Sequence, residues 1–336
     1  YTHYYLAYSF KQLGHWDSAL FHAQQALDLN PHLKEMHYLL GVLYQDTGLN
    51  EKAIAYYQKV LEIDPLHVPS YFNLGNAYLS LQQTEEAIFY YQTALKHDPS
   101  YVDAYINLAN VFQSRGQWQT ALEHYQIALT QAPNNPDIYL NVGNLWQAVG
   151  EREKALIFYH KALQFNISAP EDVYNNMGNV LKDLFRWQEA IQAYQKALQL
   201  NPTLADIHNN LANVLKDQGK LREALTHFQN ALALNPSSNT IHSNFLFCLS
   251  ALPEMNWIDF LKASHEWEKC HVLPSTPTSC TGVTCNAPAR GRKGGMKEKI
   301  FLGYISPDFQ NHSAAYFMKV FGEQANRSKF ELYAYS

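Results

Sequence analysis

"SYVDAYINLANVFQSRGQWQTALEHYQIALTQAP", residues 100–133, carries two apolar stripes split by one glycine and closed by one proline. Tyr105, Leu108, Ala109 and Phe112 fall at helical spacing and predict one face of a first helix. Gly116 suits the positive φ that ends such a helix, and Ala121 and Ala128 are small enough to let a second helix approach closely. Pro133 offers no amide hydrogen and stops that second helix. Two short helices of this kind cannot cover their own apolar stripes, so the stretch needs neighbours.

The neighbours are copies of it. Anchoring alanines stand at 19, 53, 87, 121, 155, 190 and 224, a beat of 34 residues with one step of 35. Gly41, Gly75, Ala109, Gly143, Gly178 and Ala212 keep the same beat, and prolines 31, 65, 99, 133, 202 and 236 close the units. The extra residue falls in "QFNISAPEDV", residues 164–173, where a lengthened loop is expected. The pattern resembles the tetratricopeptide repeat, which implies a mainly α superhelical solenoid of seven units over residues 1–238. "NTIHSNFLFCLSAL" starts one more unit, and Trp257, Phe260, Leu261 and Ser264 predict a capping helix, so 239–273 reads as a partial repeat and cap. Residues 274–299, rich in Pro, Thr, Ser and Gly, read as a linker whose Arg290, Arg292 and Lys293 are solvated charge.

An asparagine stands two residues before the repeated Gly or Ala from the third unit onward: Asn73, Asn107, Asn141, Asn176, Asn210 and Asn244. A second column follows three residues later, at Asn76, Asn110, Asn144, Asn179 and Asn213. Positions three apart share a helix face, so the columns run side by side. Asparagine is a poor choice for a helix interior, yet its amide offers donors and an acceptor that match a peptide backbone. The first column is therefore a candidate for binding extended acceptor polypeptide along the groove. The alternative is a structural ladder in which these amides bond to one another between repeats.

Composition narrows the partners. Lys and Arg number 25 against 30 Asp and Glu, without a basic run, which argues against nucleic acid. No apolar run approaches the roughly 20 residues that span a bilayer, so no membrane association is expected. Cys248, Cys270, Cys280 and Cys285 lack the paired spacing of a zinc site, and read as reduced thiols of a cytoplasmic protein with no metal. The chain opens on Tyr1, inside a repeat, so targeting is not legible.

The last 37 residues change character. "IFLGYIS", 300–306, reads as a buried strand, 307–311 as a loop, "SAAYFMKVFGEQA" as a helix with Ser313 as N-cap, and "KFELYAYS" as a second strand. This predicts a βαβ segment over 300–336, with its loop at the ligand-binding edge of an α/β sheet. The tail, behind such an array, resembles the O-linked N-acetylglucosamine transferase family with its SPINDLY-like members. The residues that carry the likeness are Gly303, Tyr304, Ile305 and Ser306, then Asp308, Phe309 and His312.

The resemblance implies the truncated start of a Rossmann-like GT-B glycosyltransferase lobe. It further implies an inverting transfer of sugar from a nucleotide donor, UDP-N-acetylglucosamine, to Ser or Thr hydroxyls, with the donor site mostly outside this chain and the fragment alone inactive. His312 would be the catalytic base. A helix N-terminus favours the neutral imidazole such a base requires, although His312 would equally serve to hold a loop carbonyl. Asp308 fits a loop-fixing role, and Ser313 and Tyr316 depart from many relatives, which bears on the acceptor pocket more than on the reaction. Beside this stands a second class of function, a repeat scaffold that binds proteins and catalyses nothing.

Overall fold

The structure, a computed structural model of the 336-residue chain, describes residues 2–255, 257–271, 300–305 and 330–335. It divides into two units, Tyr1–Pro274 and Ser275–Ser336, each described by itself. The first is an array of antiparallel helix pairs. In order these are α1 (Thr2–Gln12) with α2 (Trp16–Leu29), α3 (Lys34–Asp46) with α4 (Asn50–Ile63), and α5 (Val68–Ser80) with α6 (Thr84–His97). Then come α7 (Val102–Ser114) with α8 (Trp118–Gln131), α9 (Pro136–Val149) with α10 (Arg152–Ala162), and α11 (Pro170–Asp183) with α12 (Trp187–Leu200). The last are α13 (Ala205–Asp217) with α14 (Leu221–Leu234), and α15 (Asn239–Ser250) with α16 (Trp257–His271).

The second to seventh pairs are each locked by one aromatic ring. Tyr57, Tyr91, Tyr125, Tyr159, Tyr194 and Phe228 sit fully buried on the second helices, each between two fully buried small residues, alanines at every place but Val60 beside Tyr57. Opposite four of these rings the first helix has glycine. A Cβ placed at Gly41, Gly75, Gly143 or Gly178 would lie 2.5 Å from the ring of Tyr57, Tyr91, Tyr159 or Tyr194. Glycine at this register lets the ring press against bare backbone, which a side chain would prevent. Ala109 and Ala212 hold the same register with one methyl and are also buried.

The turns inside the pairs reverse through a left-handed residue: Gly14, Gly48, Gly116, Gly150 and Gly219 all have positive φ. Two units manage without glycine, at Gln82 (φ 61°) and Phe185 (φ 59°). Between units the Asn-Pro and Asp-Pro pairs form side-chain turns. Asn30, Asp64 and Asn201 accept from the backbone N–H two residues on, at 3.1, 3.2 and 3.1 Å. The unit with the extra residue lacks this device: α10 ends at Ala162, residues 163–169 form a loop, and Pro170 begins α11.

In the second unit β1 (Ile300–Ile305) pairs in parallel with β2 (Phe330–Tyr335), Ile300 opposite Phe330 and Ile305 opposite Tyr335. A parallel pair needs a crossover between its strands. The expected helix at 313–325, the loop at 307–311 with Asp308, His312 and the linker at 274–299 lie outside the described residues. Nothing in the described residues shows a glycosyltransferase lobe.

Candidate functional site

The inner face of the array can be located from packing. Consecutive first helices touch one another, as α7 with α9, α9 with α11, and α11 with α13 do, while no two second helices come as close. The elements on the inside of a curved stack are those crowded together, so the first helices line the hollow. Both asparagine columns lie on these helices, half-buried except for exposed Asn110.

The columns do different jobs. The second column accepts the buried tyrosine hydroxyls of its own units: Tyr91 donates to Asn76 at 2.7 Å, Tyr159 to Asn144 and Tyr194 to Asn179 at 2.8 Å each, and Tyr125 to Asn110. Burial pushes the Tyr91 phenol up to about 12 and raises Tyr57, Tyr125, Tyr159 and Tyr194 as well, so these hydroxyls keep their protons. A buried donor of this kind needs a permanent acceptor. Where the ring loses its hydroxyl, at Phe228, the matching Asn213 instead accepts from the Lys216 ammonium at 3.1 Å. In the second unit Val42 replaces the asparagine, and Tyr57 turns to Gln45 at 2.7 Å.

The first column reaches back one unit through Nδ2. Asn73 donates to the Tyr38 hydroxyl at 3.0 Å, Asn107 to Asn76 at 2.8 Å, Asn176 to Asn144 at 3.0 Å, Asn210 to Asn175 at 3.1 Å and Asn244 to Asn209 at 3.0 Å. Asn141 donates to no protein group among the described residues. Asn107 Nδ2 also lies 3.4 Å from the Tyr91 hydroxyl, and in none of the six does Oδ1 accept from a protein group among the described residues, so each carbonyl keeps its accepting capacity. The ladder raised as the alternative in the sequence is present at five of the six, Asn141 being the exception, and it uses the amide nitrogen alone. His312 lies outside the described residues.

Sequence reasoning missed the tyrosine and glutamine partners. Gln113 and Gln147 also accept from Tyr125 and Tyr159, at 3.1 and 2.6 Å, which makes a polar spine beneath the groove. The signal was available: the tyrosine column keeps the same 34-residue beat and fails where the asparagine changes partner.

A family profile described as "Cilia and flagella-associated protein 70 C-terminal domain", a tetratricopeptide one, matches residues 68–264, more than half of the chain. Two further tetratricopeptide repeat profiles match residues 35–100 and 1–33. The chain belongs to the tetratricopeptide repeat family. No curated protein matches it. Among solved structures it is similar to the APC/C hetero-tetramer Cut9–Hcn1, at a TM-score of 0.59 and 20% identity over 72% of this chain. The chain spans 48% of that relative's length. A tetratricopeptide repeat protein from Parabacteroides merdae gives a TM-score of 0.57 at 15% identity over 72% of this chain and 96% of that one. PilF of Pseudomonas aeruginosa gives 0.53 at 22% identity, covering 60% and 89%. These likenesses show the tetratricopeptide fold alone. Nothing in them is specific to the O-linked N-acetylglucosamine transferase or SPINDLY-like family. Among the described residues no helix is long and apolar enough to cross a membrane.

Proposed function

We propose that the array is a protein-interaction scaffold whose inner face holds an extended segment of a partner polypeptide by its backbone. The observation that carries this reading is the half-used first column: Asn73, Asn107, Asn176, Asn210 and Asn244 each spend Nδ2 on the neighbouring unit and leave Oδ1 without a protein donor. Packed helices stand about 8 to 10 Å apart and an extended chain rises about 3.3 Å per residue, so one amide per helix meets every few residues of a bound strand. Recognition through backbone groups tolerates many side chains. The test is fluorescence anisotropy with unstructured peptides of unrelated sequence. Wild type binds all of them, and Asn107→Ala/Asn141→Ala/Asn176→Ala loses at least tenfold on every one. Selective binding of one peptide, or affinity unchanged by the triple substitution, removes the reading.

A second reading is favoured by one specific observation, the residues Gly303, Tyr304, Ile305, Ser306, Asp308, Phe309 and His312 in the order that the O-linked N-acetylglucosamine transferase family uses. On this reading the array delivers acceptor protein to an inverting glycosyltransferase. His312 takes the proton from a Ser or Thr hydroxyl as that oxygen attacks the sugar carbon of UDP-N-acetylglucosamine, and the nucleoside diphosphate leaves. Donors for the diphosphate would come from residues outside this chain. Incubation of the full-length protein with the donor and an acceptor peptide tests it: His312→Ala abolishes transfer, and equal turnover by both proteins rejects the base.

A further inference from the structure

In several units a residue near the start of the first helix faces the residue nineteen places later on the second helix. In the middle of the array the pair is Tyr71 and Tyr90, Tyr105 and His124, Tyr139 and Phe158, or Tyr174 and Ala193. In the seventh unit both are histidines, His208 on α13 and His227 on α14, with their Nδ1 atoms 3.1 Å apart and the rings tilted by 30°. The first unit repeats the arrangement with His3 and His22 at 2.9 Å. Packing alone does not ask for this, since aromatic or small residues fill the same register elsewhere.

Two hydrogen-bonding facts fix how the pair is arranged. His208 Nε2 faces the Pro202 carbonyl at 3.3 Å, and a carbonyl can only accept, so Nε2 carries the proton and Nδ1 presents its lone pair. That lone pair points at Nδ1 of His227. The carbonyl six residues back is contacted at this register by His37, Tyr71 and Tyr139 as well, so the contact orients the side chain in several units; in His208 it leaves the Nδ1 lone pair available to a metal, as the support behind a ligating histidine does. The pair opens on a shallow, solvent-open depression lined also by Gln195, Leu198, Gln199, Pro202 and Leu211, so water can reach it.

We infer that His208 and His227 together bind one divalent transition-metal ion of the zinc, copper or nickel class through their Nδ1 atoms. Zinc holds imidazole nitrogen at about 2.0–2.1 Å, so tetrahedral geometry sets two such nitrogens about 3.3 Å apart, close to the spacing already present. Imidazole suits these three metals, whereas magnesium and calcium require oxygen ligands. On binding, the proton on His227 Nδ1 moves through solvent to its Nε2, and His208 keeps its proton on Nε2, so none is released overall. No third His, Cys, Asp or Glu joins the pair among the described residues. Water completes the shell, and the ion ties α13 to α14 at the edge of the unit.

The repeat itself supplies benign variants, because Tyr stands at the His208 register in Tyr139 and Tyr174, and Phe at the His227 register in Phe158. The experiment is isothermal titration of the metal-free 336-residue chain with zinc chloride, in a His22→Phe background that removes the second pair. One site per chain is expected, weakened at least tenfold by His227→Phe and by His208→Tyr, with both variants melting like their parent in EDTA. Magnesium chloride gives no heat. Absence of a zinc site, or a site that survives His227→Phe unchanged, overturns the assignment and leaves the pair a simple hydrogen bond.

Discussion

The seam inside a unit and the seam between units are built on opposite principles. Inside, a tyrosine ring presses on bare glycine backbone, with Gly143 and Tyr159 close enough that a single added carbon would overlap the ring. Between units, half-buried amides exchange hydrogen bonds, as Asn176 does with Asn144. The first seam is dry and excludes change of volume; the second is polar and keeps spare capacity. Stability should reside in the former and recognition in the latter, and substitutions can separate them.

The largest effect is expected where the dry seam is emptied. Tyr159→Ala removes a fully buried ring and should cost about 3–5 kcal/mol, read from urea unfolding. A smaller cost follows from breaking the link beneath the groove. Asn76 accepts from both Tyr91 and Asn107, so Asn76→Ala strands a buried phenolic donor at about 1–3 kcal/mol, whereas Asn107→Ala leaves that donor paired and should cost less than its counterpart. If the two asparagine variants unfold at the same urea concentration, the division of labour between the columns is wrong.

The turns offer a gain. Phe185 holds φ 59° and is 74% exposed, at a position where five other units place glycine. A left-handed conformation costs a residue with a Cβ about 1–2 kcal/mol, so Phe185→Gly should stabilise by up to that amount, and a melting temperature that falls would contradict it. The smallest effect concerns pH. Burial holds His67, His208 and His227 below the ordinary imidazole pKa. Each is protonated more readily when unfolded, so its contribution is complete above about pH 6.5 and is lost as pH falls through the lowered folded value. In EDTA the urea midpoint should decline modestly between pH 7 and 5, and decline less in His208→Tyr.

The 34-residue beat was legible because burial repeats it. The anchoring alanines, the glycine register and the closing prolines are imposed by contacts that recur in every unit, so each leaves a periodic trace in the sequence. The lengthened loop at 163–169 was legible for the same reason, as a single missed beat. What the two asparagine columns do was not. Both repeat alike, and only the positions of Tyr91 and Tyr159 reveal that one column serves buried hydroxyls while the other reaches back a unit. Phe185 likewise looks unremarkable in sequence, because only the backbone shows it in a glycine's conformation. The paired strands at Ile300–Ile305 and Phe330–Tyr335 agree with the strand reading of those stretches, yet two strands are common to many α/β proteins and identify no enzyme.

Backbone recognition by the open amides of the first column is the central claim, and replacing amides by esters in a bound peptide tests it most directly. The ester keeps every side chain but deletes the N–H that Oδ1 would accept. Measured by titration against the 336-residue chain, one ester opposite the column should weaken binding several-fold in wild type and have little further effect in Asn107→Ala/Asn141→Ala/Asn176→Ala. Equal affinity of ester and amide peptides for the wild-type chain would contradict the account.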